Sequence, residues 1–288
     1  MLGSLYSASS GLQQFQNKLD VIGNNIANAN TTGFKSARTT FEDTFSQTLS
    51  GPEPSSDGTG TGPGAVQIGS GVATSGITNI FRQGMLNETG LNTDLGIKGE
   101  GFFIVRDALT GQEFATRAGD FTKDTAGYLI TSDGYRLQGY SNAELTTRGD
   151  IRIDTTGMPA TADPNAQIKS WNIDAYGKLH VHLSDGTSFV RGQVLLQNFT
   201  NPQALVKQGS SLYANLVDAG PLGGSTPLAE PPGSGGLGVI AQGVLEASNV
   251  DLSGEFANLI TTQRAFQANA RVITTSDEVL QELINLKR

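Results

Sequence analysis

His180 and His182 are the only histidines in the chain, and they stand two residues apart. On an extended strand that spacing projects both imidazoles from one face, which is how a metal site can begin. No third ligand follows at a recognisable spacing, so the pair reads as surface residues and no metal is expected. Residues 99–103, Gly-Glu-Gly-Phe-Phe, resemble half of a phosphate-binding glycine loop. They lead into an apolar strand, not a helix, and no Lys-Ser or Lys-Thr follows, so the phosphate reading fails. The carboxylates are scattered, with no pair placed for glycoside hydrolysis. Two histidines on one strand leave no Ser-His-Asp set. The absence of cysteine excludes thiol chemistry and disulfides. The expectation is a protein that is not an enzyme and holds no cofactor.

Charge narrows the partners. Nineteen Lys and Arg against 27 Asp and Glu give a net charge of −8. Binding a phosphate backbone needs a basic face, so no nucleic acid is expected. Charged residues make up 16% of the chain, against about 25% in a typical soluble domain; uncharged polar residues take their place and suit contact surfaces. No stretch approaches the ~20 apolar residues that cross a bilayer. The first residues, MLGSLYSASSGLQQFQ, lack a basic n-region and a continuous apolar run, so no cleaved signal peptide is expected.

The elements that organise the chain lie at its two ends. Leu5, Ala8, Leu12, Phe15, Leu19, Ile22, Ile26 and Ala29 recur with strict 3-4 spacing. Toward the other end Leu252, Phe256, Leu259, Gln263, Phe266, Ala270, Ile273, Asp277, Leu280 and Ile284 do the same. All 10 prolines lie between these stretches. So narrow a seam suits a helix packed lengthwise on other helices better than one anchored on a globular core. The first helix is expected over 3–30, ending at the Asn-Thr-Thr-Gly of 30–33. Its polar face carries only Lys18 and Asp20 as charges, which favours a helix surrounded by copies of itself over a solvated hairpin. The second helix is expected from about Val250, capped by Asp251 or Ser253.

The middle reads as β structure. Strands are expected at 101–106, 113–117, 128–131, 135–140, 178–183, 188–191, 193–199 and 212–217, punctuated by turn signals such as Asp133-Gly134. Asp185-Gly186 is expected as a primed hairpin turn. Trp171 is expected in the core. Residues 50–65 and 221–238, rich in Gly, Pro and Ser, read as a mobile loop and a flexible link. The fold class is therefore α+β: long terminal helices paired as a coiled-coil inner domain, with a β-rich outer domain, sandwich-like or a partial barrel. The expected organisation is 1–35 with 245–288 as the helical domain, 36–70 as connector and flexible loop, and 71–244 as the β domain.

Four segments then carry a resemblance. Residues 19–35, Leu-Asp-Val-Ile-Gly-Asn-Asn-Ile-Ala-Asn-Ala-Asn-Thr-Thr-Gly-Phe-Lys, resemble the signature of bacterial flagellar rod and hook proteins. So do 94–103 (Asp-Leu-Gly-Ile-Lys-Gly-Glu-Gly-Phe-Phe), 116–121 with 127–129 (Thr-Arg-Ala-Gly-Asp-Phe and Gly-Tyr-Leu), and 243–252 with 263–269 (Gly-Val-Leu-Glu-Ala-Ser-Asn-Val-Asp-Leu and Gln-Arg-Ala-Phe-Gln-Ala-Asn). The matched positions include Asn24, Asn25, Asn28, Gly33, Phe34, Ser248, Asn249, Val250, Gln263 and Arg264.

The resemblance implies a motility protein of the extracellular flagellum, exported by the flagellar type III apparatus and self-assembling into a helical homopolymer. Residues 135–140 and 279–288 are most similar to the hook subunit, so the expected function is a hook tube that transmits motor torque to the filament. Its implied partners are the rod below, the hook–filament junction above and the hook cap during assembly. Residues 46–70 are instead similar to a stretch of the distal rod subunit, associated with a straight, stiff tube; distal rod is the alternative.

Overall fold

The computed structural model describes residues 2–51, 65–221 and 229–286. They form two compact units, each assembled from segments distant in sequence. A helical unit takes Met1–Ala27, Ser36–Ile80 and Val250–Arg288; a β body takes Asn28–Lys35 and Phe81–Asn249. Two long helices with a β-rich body make the fold α+β.

In the helical unit, α1 spans Leu2–Ala27 and α2 spans Leu252–Leu286. The start of α2 is set by Asp251: its Oδ1 accepts from the Ser253 amide at 3.1 Å, and its carbonyl accepts from Glu255 at 2.9 Å. Asp251, not Ser253, is the cap. The helices run antiparallel, since Asn25 meets Glu255 while Gly11 lies against Asn269. Between them in sequence come β1 (Ala37–Asp43), β2 (Ser46–Ser50), β3 (Val66–Gly69) and β4 (Val72–Asn79). β1 pairs with β4 from Ala37↔Asn79 to Asp43↔Val72, and β2 with β3 around Gln47↔Ile68. Residues 36–70, read from sequence as connector and loop, thus contain three strands of a ribbon built from two antiparallel pairs, β1 with β4 and β2 with β3. Residues 52–64 and 222–228, within the expected loop and link, lie outside the described residues.

In the β body, β5 (Leu86–Glu88), β6 (Leu95–Lys98), β7 (Phe102–Arg106) and β8 (Glu113–Thr116) come first. The main sheet runs in the order Ile168–Ile173, Lys178–Leu183, Ser188–Val194, Arg136–Tyr140, β7, β8, Leu212–Ala214, Val206–Gly209. Its path has two ends, so the sheet is open and not a closed barrel. β7 explains how it holds two cores. Alternate residues face opposite sides of a strand. Phe103 and Val105 join Leu95, Ile97 and Leu137 on one side, while Phe102 and Ile104 join Phe199 and Tyr213 on the other. Burial on both faces accounts for its unbroken apolar run.

Trp171 packs against the first core, as expected. The turn at Asp185-Gly186 differs from the primed type: Gly186 takes a positive φ (88°) and Asp185 does not. At the glycine loop the backbone, not a phosphate, makes the demand. Gly99 has φ 117°, and a Cβ there would lie 2.9 Å from the Gly238 Cα, while the Glu100 carbonyl accepts from the Gly238 amide at 2.7 Å.

Candidate assembly site

On α1 the seam faces inward. Ala8 and Ile22 are buried, and Leu5, Leu12, Phe15, Leu19 and Ile26 are half-buried. On α2, Leu259, Phe266, Ile273 and Leu280 are half-buried, whereas Leu252, Phe256 and Ile284 are exposed. The buried or half-buried positions of α2 are 254, 255, 259, 262, 265, 266, 269, 270, 273, 276 and 280. Ala270 turns inward as the pattern suggests, but Phe256, Gln263 and Asp277 are exposed and the residue before each takes the inward place. The cause lies in what α1 presents. A Cβ on Gly11 would fall 2.5 Å from Asn269 Nδ2, so the helices approach closely there. Asn25 on α1 donates to Glu255 Oε1 at 3.2 Å. Small and polar residues take the contact, and Leu252, Phe256 and Ile260 remain as an open apolar stripe, 41%, 51% and 50% exposed.

The uncharged face of α1 is used within the chain. Ser10 Oγ accepts from the Val72 amide at 3.3 Å, and Gln14 bonds the Thr74 hydroxyl. Phe15 meets Phe41 edge-on at 5.9 Å between ring centroids, and Lys18 stands over the same ring. Asn25, 1% exposed, is the tightest joint. Its side chain donates to the Ala37 carbonyl at 2.8 Å and accepts from the Ala37 amide at 3.0 Å. Part of the face expected to meet sister copies is therefore filled by the ribbon. Asn24, Gln263 and Arg264 are exposed, and Val250 is half-buried.

The remaining motif residues lie in the β body. Asn28 accepts from the Thr31 amide at 3.2 Å and from its hydroxyl at 3.0 Å. Gly33 has φ 67°, and a Cβ would meet the Ala118 amide at 2.4 Å; no other residue fits. Phe34 is buried beneath Lys207, whose Nζ lies 4.5 Å from the ring centroid. Ser248 and Asn249 are half-buried, and Asn249 donates to the Arg82 carbonyl at 3.0 Å.

Beside Gly33 lies a cluster of charges absent from the sequence reading of sites. Glu246 is fully buried and takes Lys35 Nζ at 2.6 Å and Arg117 Nη1 at 3.2 Å. Its Oε1 also accepts from the Gly84 amide at 2.8 Å, and Lys35 donates to the Arg82 carbonyl at 2.9 Å. Arg117 stacks on Phe102, 5.2 Å from the ring centroid. Burial lowers the Lys35 ammonium below the usual lysine range, against the attraction of Glu246 and the hydrogen bond to it. Burial likewise pushes the Tyr213 phenol well above its ordinary value. The Gly33 amide donates to the Glu246 carbonyl at 2.8 Å. The segment Asn28–Lys35 that follows α1 and the strand Val244–Glu246 that precedes α2 are thus clamped together within the β body.

Each of the three ionic residues falls inside a segment that carried the resemblance, yet alone each reads as a surface charge. The histidines have local partners: His180 faces Asp174 at 3.5 Å and His182 faces Asn172 at 3.0 Å. Among the described residues no three His, Cys, Asp or Glu cluster for a metal. None of their helices is long and apolar enough to cross a membrane.

Three family models match separate stretches of the chain. Residues 5–35 match the family described as flagella basal body rod protein. Residues 96–181 match the D1 domain of flagellar hook protein FlgE/F/G, and 241–286 the C-terminal region of the flagellar basal body rod FlgEFG proteins. The chain is 42% identical to a protein of Bacillus subtilis named flagellar basal-body rod protein FlgG, over all of both chains. It is 37% identical to one of the same name from Agrobacterium fabrum, covering 96% of each. It is 27% identical to the flagellar hook protein FlgE of Borreliella burgdorferi, again over all of both chains. The chain belongs to the flagellar rod and hook protein family. It is a structural component of the flagellar axis and not an enzyme. Within the family, the relatives named as rod proteins stand nearer than the one named as hook, which favours the alternative reading over the hook expectation.

Proposed function

We propose that the chain is a subunit of the distal rod, polymerising with copies of itself into the shaft that joins the basal body to the hook. The observation that carries this reading is the 42% identity to a FlgG rod protein over 288 residues, all of both chains. The ribbon supports it: β2 and β3 fall within residues 46–70, the stretch whose resemblance is to a stiff tube. The open apolar stripes of α2 support polymerisation, because they have no cover among the described residues of the chain. Contacts between unlike faces of identical subunits build open helical tubes. Its neighbours in this reading are the rod proteins below and the hook above, and it reaches them through the flagellar export apparatus.

Deleting the gene separates the two readings. Basal bodies that end before the distal rod, seen by electron microscopy, are the expected result. A complete rod lacking only the hook would return the protein to the hook.

A further inference from the structure

Among the described residues, the antiparallel register of the helical unit leaves one end of α2 without a partner helix. Asn25 faces Glu255 and Gly11 faces Asn269, so Leu2 at the start of α1 falls level with a position near 278. α2 continues to Leu286, roughly two turns further at 3.6 residues per turn. On this projecting end Val279, Leu283 and Leu286 recur at i, i+4 and i+7, and they are 44%, 48% and 83% exposed. Glu278 and Glu282, also exposed, flank that stripe.

At the opposite end of the same helix pair lies a groove of about 330 Å³, lined by Lys18, Ile22, Arg38, Thr39, Ile80 and Glu255 among others. It pairs an apolar floor with two cations. The acidic member, Glu255, is already engaged by Asn25. Thr39 contributes a buried hydroxyl that has no hydrogen-bond partner.

We propose that the projecting end of α2 on one copy docks in this groove on a second copy. Val279, Leu283 and Leu286 lie on the apolar floor, with Glu278 and Glu282 beside Lys18 and Arg38. This deepens the polymer reading and rests on it. The two surfaces complement each other in both polarity and charge, with Lys18 and Arg38 in the groove and Glu278 and Glu282 on the projecting end. Groove and projecting end are different surfaces at opposite ends of one helix pair, so copies lying in the same orientation join head to tail through a heterologous contact that can propagate. The groove lies near residue 256 of α2 and the inserted segment near 282, which sets the repeat along such a strand at roughly 40 Å from the 1.5 Å rise per residue.

Charge exchange tests the contact in the purified full-length chain. Lys18→Glu with Arg38→Glu, and separately Glu278→Lys with Glu282→Lys, are each expected to raise the concentration needed for sedimentable polymer at least tenfold. The four substitutions combined should restore it. Helical circular dichroism of each monomer checks that the unit still folds. Because the chain has no cysteine, Ile80→Cys with Leu283→Cys gives a second readout, a ladder of disulfide-linked multimers on oxidation of the polymer. Polymer formed as readily by either charge-reversed pair, no recovery in the combined variant, or polymer without a ladder each overturns the head-to-tail contact and leaves self-assembly standing. A parent chain that never polymerises removes the polymer reading and this contact with it.

Discussion

The β body and the helical unit bury their residues to different depths. In the body Leu95, Ile97, Phe103, Ile104, Leu129 and Leu137 are wholly or almost wholly inaccessible, and even Lys35, Arg117 and Glu246 are enclosed with partners. Along α2, Thr262 is the single buried residue described. A unit that covers its own apolar surface is complete as a monomer. A helix of 35 residues whose seam residues Leu259, Phe266, Ile273 and Leu280 are only half-buried gains less from packing than the body does, and long helices in proteins depend on packing. In the proposed polymer the two regions have separate tasks: the body keeps its shape, and the helices are finished by neighbours.

Removing one member of the ionic cluster should break the body most severely. Glu246→Leu strands two buried cations, at a cost of about 3–5 kcal/mol. Urea unfolding followed by Trp171 fluorescence would show the midpoint fall. Replacing all three residues together, Lys35→Met, Arg117→Met and Glu246→Leu, should recover most of the loss, because no charge is then left unpaired. In the helical unit the corresponding joint is Asn25. Asn25→Leu leaves the amide and carbonyl of Ala37 without partners, each worth about 1–3 kcal/mol. Thermal melting by circular dichroism should show the helices loosened while the Trp171 transition stays put.

A smaller effect depends on pH. Burial works to raise the Asp150 carboxyl, but hydrogen bonds from Gln138 and Arg136 and the charge of Arg106 outweigh it and hold it below the usual range. A depressed folded-state pKa stabilises above the unfolded value, about 3.9, and that contribution disappears as pH falls through the folded-state value. Asp150→Asn should therefore destabilise the body at pH 7, and its difference from the parent should shrink below about pH 4. The burial of Asp120, whose carboxyl is raised, acts in the opposite sense. The smallest stability change is expected at Phe256. With half its surface exposed, Phe256→Ser should alter monomer stability by about 0.5 kcal/mol or less, yet raise the concentration needed for polymer, as read by sedimentation.

Much of the fold is legible in the residues. The 3-4 spacing places both helices, and Lys178–Leu183 is a strand with the bounds the sequence suggests. Its turn is misread because an Asp-Gly pair fits more than one hairpin geometry. The ribbon is harder to see: β2 and β3 are exposed throughout, so no buried face imposes a period of two. Val206–Gly209 is missed for the same reason, being an exposed strand at one end of the sheet. The α2 seam is displaced because a list of apolar residues cannot register Gly11 and Asn25, which draw Asn269 and Glu255 inward. The ionic clamp is invisible for a topological reason. Lys35 and Glu246 are 211 positions apart, and only the folded chain brings them together.

Hydrogen exchange on monomer and polymer addresses the division of labour most directly. Backbone amides of α2 from Leu252 to Leu286 should exchange readily in the monomer and become strongly protected in the polymer, while those of β7 and β8 stay equally slow in both. Equal protection of α2 in the two states would contradict the claim that neighbouring copies complete the helices.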